Sequence, residues 1–155
     1  MSVHVVPTVP ASAGALVFDV RGLLLVLKPT YKSGWTLPGG EIEDTGESPW
    51  QACRREVREE CGIEVVRGRL ACVDFRPARP GRRGGVRFLF DCGPVDDVVL
   101  DGVVLQRDEI SEHRLVEVPR ALEMLRKPVA RRVGRALAAG TFVYLEDGRA
   151  VDGVP

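Results

Sequence analysis

The sequence predicts an α+β domain, a mixed sheet with helices packed on it. Two observations carry that expectation. Short apolar runs of strand length stand before and after one sharply bounded helix at 49–61, and a second helical pattern follows near the end. The hydrophobic share, 45% of 155 residues, suits a single core, so 1–155 reads as one domain.

Residues 1–12 read as an N-terminal arm with Pro7 and Pro10. Ala15–Val20 and Leu23–Leu27 are nearly continuous apolar runs around Arg21-Gly22, the pattern of strand, turn, strand. A polar loop follows, and Gly39-Gly40 open another that ends at Ser48. Ser48 and Gln51 have the spacing of a capping box, Pro49 suits the first helical position, and Gly62 is a stop signal. Ile63–Phe75 reads as a strand broken near Arg67-Gly68. Val86–Cys92 alternates, with Val86, Phe88, Phe90 and Cys92 on one face. Val98–Leu105 and His113–Val118 are further strand candidates. Pro119 opens a helix that Pro128 stops or kinks, and Val129, Val133, Ala136 and Leu137 continue at helical spacing to Gly140. Residues 141–155 form a C-terminal tail or hairpin, with Asp147-Gly148 as the turn signal.

The 22 basic and 22 acidic residues cancel, which removes any overall pull towards nucleic acid or an anionic membrane. No apolar run approaches the length of a membrane span, and no secretory pattern opens the chain. Cys53, Cys61, Cys72 and Cys92 form no C-x-x-C pair, and with only His4 and His113 they lack the clustering of a zinc site. A cytoplasmic, reduced setting is the expectation.

The helix at 49–61 segregates its charges. At about 100° per residue, Trp50, Cys53, Val57 and Cys61 make one apolar stripe. Arg54, Arg55 and Arg58 flank one side of it, and Glu56, Glu59 and Glu60 cover the other, within an arc of about 100°. Glu56 and Glu60 are four apart, a spacing at which like charges repel. A hard divalent cation with oxygen ligands would turn that repulsion into attraction. The alternative is a solvated acidic face. Gly39 and Gly40, which let backbone approach a ligand closely, favour the first reading.

The segment 39–63 resembles the Nudix box, G-x5-E-x7-R-E-U-x-E-E-x-G-U, where U is bulky and aliphatic. Glu47 is followed by seven residues and then by Arg55-Glu56-Val57-Arg58-Glu59-Glu60-Cys61-Gly62-Ile63, which matches every specified position. The loop between Gly40 and Glu47 carries one residue more than the pattern. The resemblance implies the Nudix α/β/α sandwich and hydrolysis of nucleoside diphosphates linked to another moiety. It implies that Glu56, Glu59 and Glu60 hold Mg²⁺ or Mn²⁺ and carry the catalysis, with a Gly39 or Gly40 carbonyl as a further ligand. It also implies that Glu47 and Arg55 pair and brace the loop.

Catalysis would proceed by attack of water at one phosphorus, with Glu56 as first choice for base or ligand and Glu109 and Glu112 as rival acids. Tyr31 and Trp35 precede the glycines, and Arg82 and Arg83 lie in an arginine-rich stretch, 76–87, that either holds substrate phosphate or is a solvated flexible loop. A small nucleotide is the expected partner, rather than a membrane or nucleic acid, and a homodimer remains open. Two rival functions are an RNA 5′-end pyrophosphohydrolase and a non-catalytic nucleotide-sensing module.

Overall fold

Strand pairing of the apolar runs builds the scaffold. In a computed structural model that describes residues 2–155, the strands are β1 (Ala11–Phe18), β2 (Leu24–Pro29), β3 (Gly39–Glu41), β4 (Arg69–Arg76), β5 (Gly85–Pro94), β6 (Ile110–Val116) and β7 (Val143–Glu146). The sheet runs β6-β2-β1-β5-β4-β7, with β3 pairing β1 alongside. It is mixed: β1–β5 and β4–β7 are parallel, and the other pairs are antiparallel. Both faces are covered, which is why the strands read as runs rather than clean alternations.

One face packs on helix α1 (Pro49–Cys61) around Val17, Leu25, Leu27, Cys53, Val57 and Ile63. The other face packs on α3 (Val118–Met124) and α4 (Lys127–Ala139) around Leu16, Leu24, Val26, Leu89, Val133 and Leu145. A short helix, α2 (Asp97–Asp101), lies between β5 and β6. Helix α1 carries the expected ends: Ser48 and Gln51 bond reciprocally, Pro49 stands in the first turn, and Gly62 closes the helix in the left-handed conformation at φ 69°. Trp50 stacks obliquely on Phe90 with ring centroids 5.1 Å apart. All four cysteines are buried and free.

Several boundaries differ from the sequence expectation, each for a local reason. β1 already begins at Ala11, because Pro10 and Ala11 carbonyls accept backbone bonds from Val86 and Ile42. Gly39–Glu41, expected in a loop, is strand β3 through its register with Ser12–Gly14. Val98–Leu105 overlaps helix α2 instead of forming a strand: only Leu100 of that helix is buried, and Val98 is 83% exposed with no pleated neighbour to favour its branched side chain. Residues 62–68 lie outside the sheet, so β4 starts at Arg69. Pro128 stands in the first turn of α4 and thereby divides α3 from α4. β7 adds in parallel to β4, and Glu146 and Arg149 close a tight turn over Asp147-Gly148. No helix among the described residues is long and apolar enough to cross a membrane.

Candidate active site

The N-terminal half of β1, strand β3 and helix α1 meet at the two glycines. Gly39 has φ 155°, and a side chain there would drive into the Ala13 carbonyl and the Gly14 backbone. A side chain at Gly40 would overlap the Glu56 carboxylate. Glycine at both positions therefore lets β3 lie directly against the acidic edge of α1.

That edge holds two carboxylates together. Glu60 is 4% exposed, and its Oε1 accepts the Gly39 N–H at 2.8 Å. Burial pushes Glu60 up to about 8; the Glu56 and Glu109 charges add to the shift, and the Gly39 bond opposes it. Glu56 is also raised by burial, although Arg55 works against this. A buried pair of like charges lacking a cation is costly to ionise. The close approach of β3 is what buries Glu60.

Arg55 organises the adjoining side of the site. Its Nε and Nη2 donate to both oxygens of Glu47 at 3.0 and 2.8 Å, a bidentate pair. Nη1 donates to Glu56 Oε1 at 2.9 Å and to Glu59 Oε2 at 3.2 Å, and Nη2 also reaches the Glu41 carbonyl. The Arg55 hydrogen bonds hold Glu47 down at about 2. The longer loop turns at 44–46, and the Glu43 N–H returns to Glu47 Oε1 at 2.8 Å, so the extra residue does not separate Glu47 from Arg55.

Glu59 is thus drawn to Arg55 and stays partly exposed, while Glu56 and Glu60 face each other. Among the described residues, no group of three or more His, Cys, Asp or Glu side chains is gathered closely enough to hold a metal ion. The donor set still suits a hard cation: paired carboxylates beside glycine backbone, with Arg55 reaching Glu56 and Glu60 buried. Glu109 acts electrostatically on both Glu56 and Glu60, whereas Glu112 is paired with Arg114 at 2.8 Å.

Beside β3 opens a cleft of about 400 Å³. Gly39, Gly40 and Tyr31 line it, together with Lys32, Arg76, Arg87, Arg126 and Arg132. Trp35 does not; it packs in the core under α3 and α4, with the Arg114 guanidinium 5.0 Å from its ring centroid. Nor do Arg82 and Arg83. Arg82 reaches Asp147 and the Pro77 carbonyl, and the exposed Arg83 lies 3.5 Å from Glu41. The arginine-rich stretch is not a free loop: Arg79 and Arg82 form a tight turn, and Arg76, Arg79 and Arg82 all lie within 3.7 Å of Asp147. Sequence reasoning missed Lys32, Arg126 and Arg132, for which no local pattern gives a signal.

Comparison with known proteins agrees with this geometry. A family model described as the NUDIX domain matches residues 8–139. The MutT protein of Methanosarcina mazei is 26% identical, with a TM-score of 0.72 over 84% of this chain and 94% of that one. The NUDIX domain of Shewanella oneidensis NrtR, solved with ADP ribose, is 17% identical, with a TM-score of 0.72 over 88% of this chain and 91% of that one. A C. elegans Ap4A hydrolase is 24% identical, with a TM-score of 0.60 over 84% and 99%. No curated protein matches the chain. The match over nearly the whole chain places this protein in the Nudix hydrolase family.

Proposed function

We propose that this enzyme hydrolyses the diphosphate bond of a nucleoside diphosphate derivative, with 1–155 acting as one domain. The observation that carries the reading is the Glu56–Glu60 carboxylate pair, held against the same glycine backbone that lines a basic cleft. Nudix hydrolases generally need divalent metal ions, and Mg²⁺ or Mn²⁺ suits the oxygen donors here. When bound, such an ion would offset phosphate charge and make water at the phosphorus more acidic.

The chain's own residues supply the rest. Glu60 and Glu56 are ligands, and Glu59 joins them when its side chain leaves Arg55. The Gly39–Gly40 backbone admits the diphosphate next to the carboxylates. Glu56, the member of the pair less tightly enclosed, receives the proton of the attacking water. Arg55 fixes the Glu56 carboxylate through Oε1, and Glu47 fixes Arg55, so Glu47 and Arg55 brace the site without touching substrate. Glu109 adds negative charge from the loop before β6.

The test is a panel of nucleoside diphosphate derivatives incubated with Mg²⁺ or Mn²⁺ and resolved by product mass. The expected products are two phosphomonoesters from cleavage between the phosphorus atoms. Absence of cleavage across the panel with either ion contradicts the reading.

A further inference from the structure

The cleft beside β3 is strongly basic. Lys32, Arg76, Arg87, Arg126 and Arg132 line it, opposed among its lining residues by the single carboxylate of Glu41. They arrive from separate segments: the loop after β2, strands β4 and β5, the N-cap of α4 and its interior. No run of sequence brings them together; the fold does.

These cations crowd one another. Arg76 and Arg87 both lie below the ordinary arginine range, through burial first and then, for Arg76, through Arg82 and Arg132 and, for Arg87, through Arg132 and Arg76. Lys32 is lowered by burial and then by Arg126. Their donors are incompletely used. Arg76 Nε is buried without a hydrogen-bond partner, with Asp147 Oδ1 at 3.7 Å. Arg87 Nη2 has only a long bond, 3.4 Å, to the Gly84 carbonyl. Arg132 is anchored through Nε to Asp74 Oδ2 at 2.9 Å, which leaves its two terminal nitrogens for other partners. Asp74 itself is 1% exposed and also accepts the Gly148 N–H at 2.9 Å, so it acts as a positioning residue for Arg132.

We propose that this cleft grips a chain of phosphates extending beyond the bond that is cleaved, so that the preferred substrates carry three or more linked phosphates. The inference rests on the hydrolytic reading above, because Gly39 and Gly40 border both the cleft and the carboxylate pair. A nucleotide joined to a neutral sugar brings charge only on the diphosphate under attack. Additional phosphates give the guanidinium forks bidentate acceptors and remove the mutual repulsion of the cluster. The exposed ring of Tyr31 on the cleft wall offers a face to the nucleoside.

The test compares diadenosine tetraphosphate with ADP-ribose, which share adenosine and differ in phosphate number, and adds calorimetric binding of inorganic tripolyphosphate without metal. Wild type is expected to bind tripolyphosphate and to hydrolyse the tetraphosphate with the higher kcat/KM. Arg87→Ala should raise KM for the tetraphosphate about tenfold or more, the loss of one charge-assisted contact, with kcat largely retained and ADP-ribose far less affected. Arg126→Ala, on the exposed wall, should act in the same direction and guards against a folding defect in the first variant. Equal KM changes for both substrates in both variants, or no tripolyphosphate binding by wild type, overturns the proposal. Tripolyphosphate binding lost in the variants, with neither nucleotide hydrolysed by wild type, supports the anion site and instead contradicts the hydrolytic reading.

Discussion

The acidic edge of α1 and the basic cleft meet at one short strand, and the chain assembles them by opposite means. The acidic edge is local: Gly39, Gly40, Glu47, Arg55, Glu56, Glu59 and Glu60 fall within 22 consecutive residues, and a loop and a helix are enough to place them. The basic cleft draws on Lys32, Arg76, Arg87, Arg126 and Arg132, spread over most of the chain. Each gathers like charge at partial burial. Within the acidic edge, Arg55 offsets only one side and leaves Glu60 facing Glu56. Within the cleft, Asp74 and Asp147 restrain Arg132 and Arg76 without neutralising the cluster. The difference teaches that the reaction class is written in one segment, whereas substrate preference is a property of tertiary structure.

The largest expected effect falls on the acidic side. Glu56→Gln keeps the shape of the side chain and removes the proton acceptor, so kcat should fall by about 10²–10⁴-fold while substrate affinity changes little. A variant with undiminished kcat would move the base elsewhere, Glu109 first. Next comes the support of the cleft. Asp74→Ala leaves Arg132 without its buried partner and should cost about 3 kcal/mol or more in a denaturant titration. If its main effect is instead on hydrolysis with stability unchanged, Asp74 belongs to the chemistry and the two regions are coupled.

Smaller effects separate the brace from the carboxylate pair by pH. Glu47 is held at about 2, below its ordinary value, so its pairing with Arg55 stabilises the fold fully above about pH 4.3 and is lost as pH falls towards 2. Glu47→Gln should flatten the stability curve across that window only. Glu60 behaves with the opposite sign. Its folded value of about 8 exceeds the unfolded one, so folding takes up a proton and stability declines as pH rises from about 4.3 towards 8. Without divalent ions, Glu60→Gln should remove that decline. Thermal melts across pH check both statements.

The contrast between the regions also explains what the sequence disclosed. The cap at Ser48, the stop at Gly62, the charge segregation on α1 and the match from Glu47 onward depend on neighbours in the chain, so spacing alone reveals them. The burial of Glu60 was not visible, because it depends on β3, a strand of three residues whose register is set by β1. Val98–Leu105 misled through its branched residues, since strand preference needs a neighbouring strand that this segment does not have. The arginines at 76–87 drew notice by density alone. Arg76 and Arg87 rather than Arg82 and Arg83 face the cleft because they stand on the paired strands β4 and β5, whereas Arg82 and Arg83 lie in the turn between them.

The most direct measurement is a titration of Mg²⁺ and of Mn²⁺ against thermal stability near pH 8, for wild type and Glu60→Gln side by side. A ligand that binds only the folded state raises Tm, and the rise grows with the logarithm of its concentration above Kd. The account predicts that the variant melts higher than wild type when no divalent ion is present, by about 2–4 °C for each kcal/mol of relieved repulsion. It predicts further that each ion raises the melting point of wild type and leaves that of Glu60→Gln nearly unchanged. Equal shifts in the two proteins, or no shift in either, would contradict the assignment of the buried carboxylate pair as the cation site.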